Sequence, residues 1–150
     1  MKRPYAFLAV VLAATASAAT VASAEPGTPS ARSGSTATVQ LRHSSLGSIL
    51  VSSSGRTLYE FTRDRANKNS CVAISGCSHV WPSLRASGRP TAGSGVKASL
   101  LSTSGGQVTY AGHPLYLYSG DTGPGKTSYV GVKQFGGTWY ALNASGGAVK

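Results

Sequence analysis

The sequence is poor in acidic residues, in sulfur-containing residues and in motifs that bind redox cofactors. Its 150 residues include only four Asp or Glu against 14 Lys or Arg, which gives a formal net charge of +10. Only two cysteines are present, and the single methionine is Met1. The chain has no C-x-x-C-H haem motif, and without an internal methionine it lacks the usual axial ligand of a blue-copper site. The residues therefore give no support to a haem or copper protein.

The signatures of common hydrolases are also missing. His43, His79 and His113 are available as bases and serines are abundant, but there is no G-x-S-x-G nucleophile elbow. A mechanism with two carboxylates could use Asp64 and Asp121. We predict that the protein is not an enzyme and has no cofactor. The alternatives are an extracytoplasmic hydrolase that uses these two aspartates, or a redox-associated or metal-associated envelope protein.

Only the N-terminus contains a long apolar run. Lys2 and Arg3 precede apolar residues 5–22, and the small residues Ala22-Ser23-Ala24 follow, which is the pattern of a cleaved secretory signal peptide. No other stretch is long enough to span a bilayer, and no cysteine near the cleavage site could carry a lipid. We therefore expect residues 1–24 to be removed and the mature protein to be secreted, with no transmembrane segment and no lipid anchor.

The rest of the chain divides into a short tether and one domain. Residues 25–38 carry no large apolar side chain and are predicted to form a flexible tether. From residue 39 to residue 150, short runs bounded by Gly, Ser and Pro indicate strands, and no segment shows sustained helical periodicity. The predicted strands include 38–41, 48–52, 57–62, 107–110 and 114–118, and residues 107–118 are predicted to form a hairpin that turns at Ala111-Gly112. We predict an all-β domain, either a small antiparallel sandwich or a partly closed barrel.

Two segments of the predicted domain have similar sequences. GRTLYEFTRD at 55–64 matches GHPLYLYSGD at 112–121, and the pattern W-x-x-L recurs at Trp81 and Trp139. Sixteen residues separate the first aspartate from the first tryptophan and seventeen separate the second pair, so one single-residue gap aligns both halves. The sequence therefore predicts two tandem homologous repeats, at 46–84 and 107–143.

The residues shared by the repeats are interpreted as structural. They are Tyr59, Phe61, Asp64 and Trp81 in the first repeat, and Tyr116, Tyr118, Asp121 and Trp139 in the second. Because side chains alternate along a strand, the two aromatics of each motif share one face and can pack against a tryptophan. Each aspartate follows the predicted end of its strand, where a carboxylate commonly accepts backbone N–H bonds of a turn. Core packing and turn formation are the predicted roles.

The motifs resemble those of a known family. The paired Y-x-[FY]-x-x-D motifs, W-P-x-L at 81–84 and F-G-G-x-W-Y at 135–140 are similar to those of bacterial secreted repeats and predicted lipoproteins known for a conserved Y-x-[FWY]-x-x-D motif. The resemblance extends from about residue 46 to residue 146. It implies a small extracytoplasmic protein without an established activity. This chain lacks the modified N-terminal cysteine of the lipoprotein form.

The two cysteines are Cys71 and Cys77, and in a secreted chain they most simply form one disulfide. Such a bond would shape the segment 65–79. Together with His79 the two cysteines could instead supply three metal ligands, but the spacing Cys-x5-Cys-x-His matches no common zinc pattern. We predict a disulfide and no metal site.

The excess of positive charge favours anionic partners. Removing Lys2 and Arg3 leaves 12 basic and four acidic residues, a net charge of +8. The basic residues near the two motifs are Arg56, Arg63, Arg65 and Lys68, followed by Lys126 and Lys133. We predict that these loops bind an anionic cell-wall polymer, a polysaccharide or lipid headgroups. The alternative is that the charge only keeps a secreted protein soluble.

The segment GDTGPGKT at 120–127 matches the phosphate-loop pattern G-x-x-x-x-G-K-[ST]. A working phosphate loop needs a helix that begins near Lys126, so that its N-terminal amides face the phosphates. The following residues, SYVGVKQFGG, contain valines, glycines and aromatics that predict turn and strand. We therefore predict no nucleotide binding.

Overall fold

A computed structural model describes residues 38–150. The predicted signal peptide lies outside the described residues, and so does the predicted tether apart from Thr38. The described residues belong to one compact unit. No helix among residues 38–150 is long and apolar enough to cross a membrane.

The described part of the chain consists of short strands, turns and very little helix. The strands are β1 (Val39–Ser44), β2 (Gly47–Ser52), β3 (Tyr59–Phe61), β4 (Leu101–Ser104), β5 (Gln107–Tyr110), β6 (His113–Pro114), β7 (Val132–Gln134), β8 (Gly137–Leu142) and β9 (Ala148–Val149). A four-residue helix, α1 (Cys77–Val80), and 3₁₀ turns at Cys71–Ala73 and Ala98–Leu100 complete the secondary structure of residues 38–150. The predicted all-β class is confirmed.

The strands form three small sheets, and every ladder is antiparallel. β1 pairs with β2, β4-β5-β6 form a second sheet, and β3-β8-β7 form a third in which β9 also pairs with β8. Isolated bridges link residues beyond these ladders, for example Tyr59 with Tyr116 and Arg85 with Gln107. No closed barrel forms among residues 38–150.

The strand predicted at 114–118 is shorter in the structure, where β6 ends at Pro114. The backbone beyond it is extended between several partners. Leu115 donates to the carbonyl of Val108, Tyr116 to Tyr59 and Leu117 to Pro82. Because successive N–H groups bond to different segments, this stretch connects parts of the domain and cannot belong to one continuous ladder.

A tight turn between β5 and β6 fixes the hairpin that carries the second motif. Ala111 and Gly112 both have positive φ, +49° and +84°, as a two-residue type I′ turn requires. Glycine adopts this conformation without steric cost, and it occupies the second position here. The turn at these two residues agrees with the hairpin predicted from the sequence.

Alternating side chains separate an aliphatic core from an aromatic one. Leu58 and Leu115 enter the aliphatic cluster with residues such as Val108, whereas Tyr59 and Tyr116 enter the aromatic cluster. Full burial of a large apolar side chain contributes about 1.5–3 kcal/mol. Each motif segment therefore contributes to two cores at once, and the shared residues of the two predicted repeats meet in the aromatic cluster.

Candidate functional site

Two tryptophans stack at the centre of the aromatic cluster. Trp81 follows α1 and Trp139 lies on β8, and their ring centroids are 3.7 Å apart with an interplanar angle of 1°. Tyr59 meets the Trp81 ring edge-on at 5.2 Å, and Tyr116 meets the Trp139 ring edge-on at 5.2 Å. All four side chains are fully buried. The predicted packing of motif aromatics against the two tryptophans is present.

The remaining motif aromatics extend this pair into a stack of four rings. Phe61 stacks on Trp139 with centroids 4.2 Å apart, and Tyr118 lies over Trp81 at 4.9 Å. Phe61 comes from the first predicted repeat and Trp139 from the second, while Tyr118 and Trp81 have the opposite origins. The outer rings of the stack therefore each cover the tryptophan of the other repeat.

The motif tyrosines and aspartates also form contacts between the two predicted repeats. The Tyr59 hydroxyl donates to Asp121 Oδ2 at 2.9 Å, and the Tyr116 hydroxyl donates to Asp64 Oδ2 at 2.7 Å. The backbones of the two tyrosines also exchange two N–H···O bonds of 3.0 Å. Each phenol thus binds the carboxylate of the other predicted repeat. Sequence reasoning missed this contact, although the identical Tyr–Asp spacing in both motifs was a signal of a shared role.

The two aspartates differ in their remaining contacts. Asp64 Oδ1 also accepts the backbone N–H of Ser70 at 2.7 Å, which is the turn contact predicted for it. Asp121 is only 4% exposed. Its side chain accepts a hydrogen bond from the Tyr59 hydroxyl. The cations Arg56 and Lys126 lie close enough to favour the charged form of its carboxylate.

Burial dominates the electrostatics of these pairs. Desolvation raises the pKa of Asp64, and the hydrogen bonds from Ser70 and Tyr116 oppose that shift. Desolvation also raises the pKa of Asp121, opposed first by the Tyr59 hydroxyl and then by the nearby cations. Burial and the adjacent carboxylates raise the pKa of both tyrosines. The phenols therefore stay protonated and act as hydrogen-bond donors.

The third carboxylate of the described residues is engaged as well. Glu60 on β3 is 7% exposed and pairs with Nδ1 of His113 on β6. The hydrogen bond to Glu60 raises the pKa of His113, although partial burial of the ring opposes this shift. Glu60 and His113 thus join the two motif segments by an ion pair when His113 is protonated.

This pair should make folding stability depend on pH. Because the folded-state pKa of His113 is raised above 6.5, its contribution is fully present below 6.5 and is lost as the pH rises through the folded value. We expect the Tm to increase as the pH falls from about 8 to about 6. The variant His113→Gln should show a smaller increase in thermal scans over the same range.

The exposed His43 on β1 provides the matched control for this prediction. His43→Gln should retain the wild-type dependence of Tm on pH. Identical pH profiles for His113→Gln and the wild type would show that the Glu60 pair contributes nothing to stability.

The basic residues predicted to bind anions fall into separate groups. Arg56 is half-buried and donates to the Tyr118 carbonyl, so its guanidinium is directed inward. Arg63 Nη1 donates to the Phe135 carbonyl at 3.0 Å, in the turn that follows Lys133 on β7. The structure therefore brings cations of both predicted repeats to one turn.

Two further groups are formed by the other cations. Arg65 and Lys68 face each other across a tight turn, closed by a bond of 2.9 Å from the Lys68 N–H to the Arg65 carbonyl. Lys126 is exposed beside the Asp121 region, and its carbonyl accepts the Thr57 hydroxyl. Apart from Arg56, all of the predicted anion-binding side chains are exposed.

The predicted disulfide between Cys71 and Cys77 is present. Both residues are fully buried and pack in the aromatic cluster, so the bond fastens α1 and the preceding 3₁₀ turn to the core. It also removes two of the three side chains considered as metal ligands. Among residues 38–150, no three His, Cys, Asp or Glu side chains are grouped so that they could hold a metal ion.

The segment that matches the phosphate-loop pattern is held in turns. The Gly125 N–H donates to the Gly55 carbonyl at 3.1 Å, which ties the segment to the turn after β2. The chain then continues through further turns to β7 at Val132, and no helix begins at Lys126. This conformation agrees with the turn and strand predicted from the residues, and it does not supply the helix N-terminus that a phosphate loop uses.

Comparison with known proteins bears on the second half of the domain. Residues 101–143 match a family model described as a secreted repeat of unknown function. The matched range contains Tyr116, Asp121 and Trp139, so the family resemblance expected from the motifs is confirmed for this part of the chain. No curated protein and no solved structure matches the chain significantly.

Proposed function

Because the chain carries a repeat of a secreted family, we propose that it is an extracellular or envelope protein that binds anionic polymers and has no enzymatic activity of its own. The observation that carries the proposal is the sign of the exposed charge. Among residues 38–150, every exposed charged side chain is cationic. These side chains are Arg42, Arg63, Arg65, Lys68, Arg85, Arg89, Lys97, Lys126, Lys133 and Lys150.

The carboxylates do not offset this charge at the surface. Glu60 and Asp121 are buried, and Asp64 is half-buried with donors on both of its oxygens. A surface with one sign of charge attracts polymers of the opposite sign and raises their local concentration. The distribution of charge thus supports a polyanionic partner such as a cell-wall polymer, an acidic polysaccharide or a layer of lipid headgroups.

The contacts of the aspartates favour this function over hydrolysis. A hydrolase with two carboxylates needs both groups open to substrate and water. Asp64 and Asp121 instead accept hydrogen bonds from buried tyrosines, and Asp121 is almost completely enclosed. Their arrangement is better suited to joining the two halves of the domain than to attacking a glycosidic or ester bond.

Salt dependence tests the proposal. We expect wild-type protein to bind long-chain polygalacturonate, with log K falling linearly as log salt rises, because each neutralised charge releases a counterion. The variant Arg63→Gln/Lys133→Gln removes two cations at one turn and should reduce the slope by about 1–2, by analogy with nucleic-acid binding. Affinity measured by titration calorimetry between about 50 and 200 mM salt gives both slopes.

Neutral dextran is the control polymer, and it should show no salt-dependent binding. A wild-type protein that does not bind polygalacturonate even at about 50 mM salt would contradict the proposal. The charge would then serve only to keep the protein soluble.

A further inference from the structure

A cleft lined by both polar and apolar side chains opens beside the aromatic core. Of the residues predicted to bind anions, only Lys68 lines it. Its volume is about 360 Å³. The residues that line it come from the turn after β3, the 3₁₀ turn at Cys71–Ala73, the segment after Trp81, and the sheet β4-β5-β6. Ligand pockets typically range from about 300 to 1,000 Å³, so this cleft fits a small unit of a larger polymer.

Two cations and no carboxylate line the cleft. Lys68 and Arg85 are both exposed and approach it from different segments. Arg85 Nη1 donates to the Gly105 carbonyl at 3.3 Å, and a bridge joins the Arg85 backbone to Gln107 on β5. Arg85 is thereby held beside the opening. A group that enters between these two side chains gains most if it carries negative charge.

A fixed network of amides lies next to the cations. Asn69 Nδ2 donates to Gln107 Oε1 at 2.7 Å and to Ser83 Oγ at 3.2 Å, and its Oδ1 accepts the Val72 N–H at 3.0 Å. Gln107 is 5% exposed, and its Nε2 donates to the Leu115 carbonyl at 2.9 Å. Side chains held in this way keep one orientation, so the polar surface that they present is formed before a ligand arrives.

One polar atom of the lining has no partner among residues 38–150. Thr109 on β5 is 1% exposed, and its hydroxyl makes no hydrogen bond within this part of the chain. Its neighbour across the ladder is Pro114, which has no N–H to offer. A buried hydroxyl without a partner lowers stability, so its presence in a cleft calls for a ligand or water that would satisfy it. The hydroxyl and the two cations are separate features of the lining, and both favour a polar ligand.

The cleft also has an apolar part. Val72 is 67% exposed, which is unusual for a large apolar side chain of this domain, and it lines the cleft together with Pro114. A ligand with C–H groups as well as polar groups would cover both residues and remove apolar surface from water.

We propose that this cleft binds one oxyanion-bearing, hydroxyl-rich unit of an acidic polymer, either a hexuronic acid residue or a polyol phosphate. Lys68 and Arg85 bind the oxyanion, the amides and the Thr109 hydroxyl bind ligand hydroxyls, and Val72 contacts the C–H face. This proposal rests on the proposed function. It adds to the polymer-binding surface a specific site that binds one unit of the polymer.

A pair of double variants tests the cations. Titration calorimetry with trigalacturonate and with a short glycerol-phosphate oligomer should show that Lys68→Ala/Arg85→Ala weakens binding about tenfold or more, since hydrogen bonds to charged groups are lost. The matched control is Lys97→Ala/Arg89→Ala, which removes the same charge from exposed residues outside the cleft. We expect the control to weaken binding by no more than about threefold. An equal loss in both double variants would overturn the cleft as the site.

Substitution of Thr109 by valine, which has the same shape, tests the cleft without changing charge. Thr109→Val should raise the Tm because it removes a buried hydroxyl without a partner, and it should weaken binding of the oligomer that the wild type prefers. A raised Tm with unchanged affinity would overturn the role of this hydroxyl. A higher Tm together with weaker binding would distinguish a residue that contacts the ligand from one with a purely structural role.

The two proposals fail in different ways. If Lys68→Ala/Arg85→Ala binds both oligomers as tightly as the wild type while polygalacturonate binding stays salt-dependent, the cleft is wrong and the proposed function stands. If the wild type binds no polyanion, both proposals fail. Tighter binding of trigalacturonate identifies a uronic acid as the preferred unit, and tighter binding of the glycerol-phosphate oligomer identifies a polyol phosphate.

Discussion

Replacing Trp81 with alanine is expected to lower the free energy of unfolding by about 3–5 kcal/mol, the usual cost of truncating a buried aromatic side chain. The Trp81 ring is fully buried and contacts Trp139, Tyr59 and Tyr118. Domains of this kind have a total stability of about 5–15 kcal/mol, so the loss is a large part of the whole. Urea unfolding followed by far-ultraviolet circular dichroism measures it without relying on tryptophan fluorescence.

Three further substitutions show whether the expected loss of stability depends on the position and on the indole N–H. Val72→Ala changes an exposed apolar side chain and should alter stability by no more than about 0.5 kcal/mol. Trp81→Phe should cost more stability than Trp139→Phe, because Trp81 Nε1 donates to Gln134 at 2.9 Å whereas Trp139 Nε1 has no partner within the described part of the chain. A cost below about 1 kcal/mol for Trp81→Ala would mean that the stack does not stabilise the fold.

Removing the Tyr59 hydroxyl is expected to lower stability by about 1.5–3 kcal/mol, the range for a hydrogen bond to a charged group. Tyr59→Phe leaves Asp121 buried without this donor. The loss should depend on pH. Burial holds the folded-state pKa of Asp121 above its ordinary value of 3.8, and removal of the hydroxyl raises that pKa further. Stability linked to a raised pKa is lost as the pH rises, so the effect of Tyr59→Phe should be small below 3.8 and largest near neutral pH.

The equivalent change in the other predicted repeat supplies the comparison. Tyr116→Phe should cost less than Tyr59→Phe, because Asp64 keeps the N–H of Ser70 as a donor. Urea unfolding of both variants near pH 4 and near pH 7 distinguishes the two cases. Equal losses at both pH values would show that the Tyr59 hydroxyl does not act through the charged form of Asp121.

Local features of the fold could be predicted from the sequence because they depend on neighbouring residues. The turn at Ala111 and Gly112 follows from the glycine, and the separation of Leu58 from Tyr59 follows from side-chain alternation along a strand. The disulfide followed from two cysteines in a chain predicted to be secreted. Each of these inferences needs only a short segment and a general rule.

The contacts between distant segments could not be predicted in this way. Tyr59 and Asp121 are 62 residues apart in sequence, and neither motif indicates which aspartate a given tyrosine will contact. The prediction of one strand over 114–118 was wrong for a related reason, because the backbone of these residues forms hydrogen bonds to three different segments. The cleft was missed because Arg85 lies outside both predicted repeats, and because the environment of Thr109 is set by the fold around β5.

The hydrogen bonds of the tyrosine hydroxyls and the contacts of the outer rings both link one predicted repeat with the other. These contacts affect how the two halves of the domain are held together. Each tyrosine hydroxyl and each outer ring of the stack contacts the other half, so each half supplies contacts that the other lacks. Residues 85–106 join the halves and give each one a high effective concentration of its complement. A break in this joining segment would convert folding into a bimolecular reaction, in which two fragments recover the native domain by complementation at sufficient concentration.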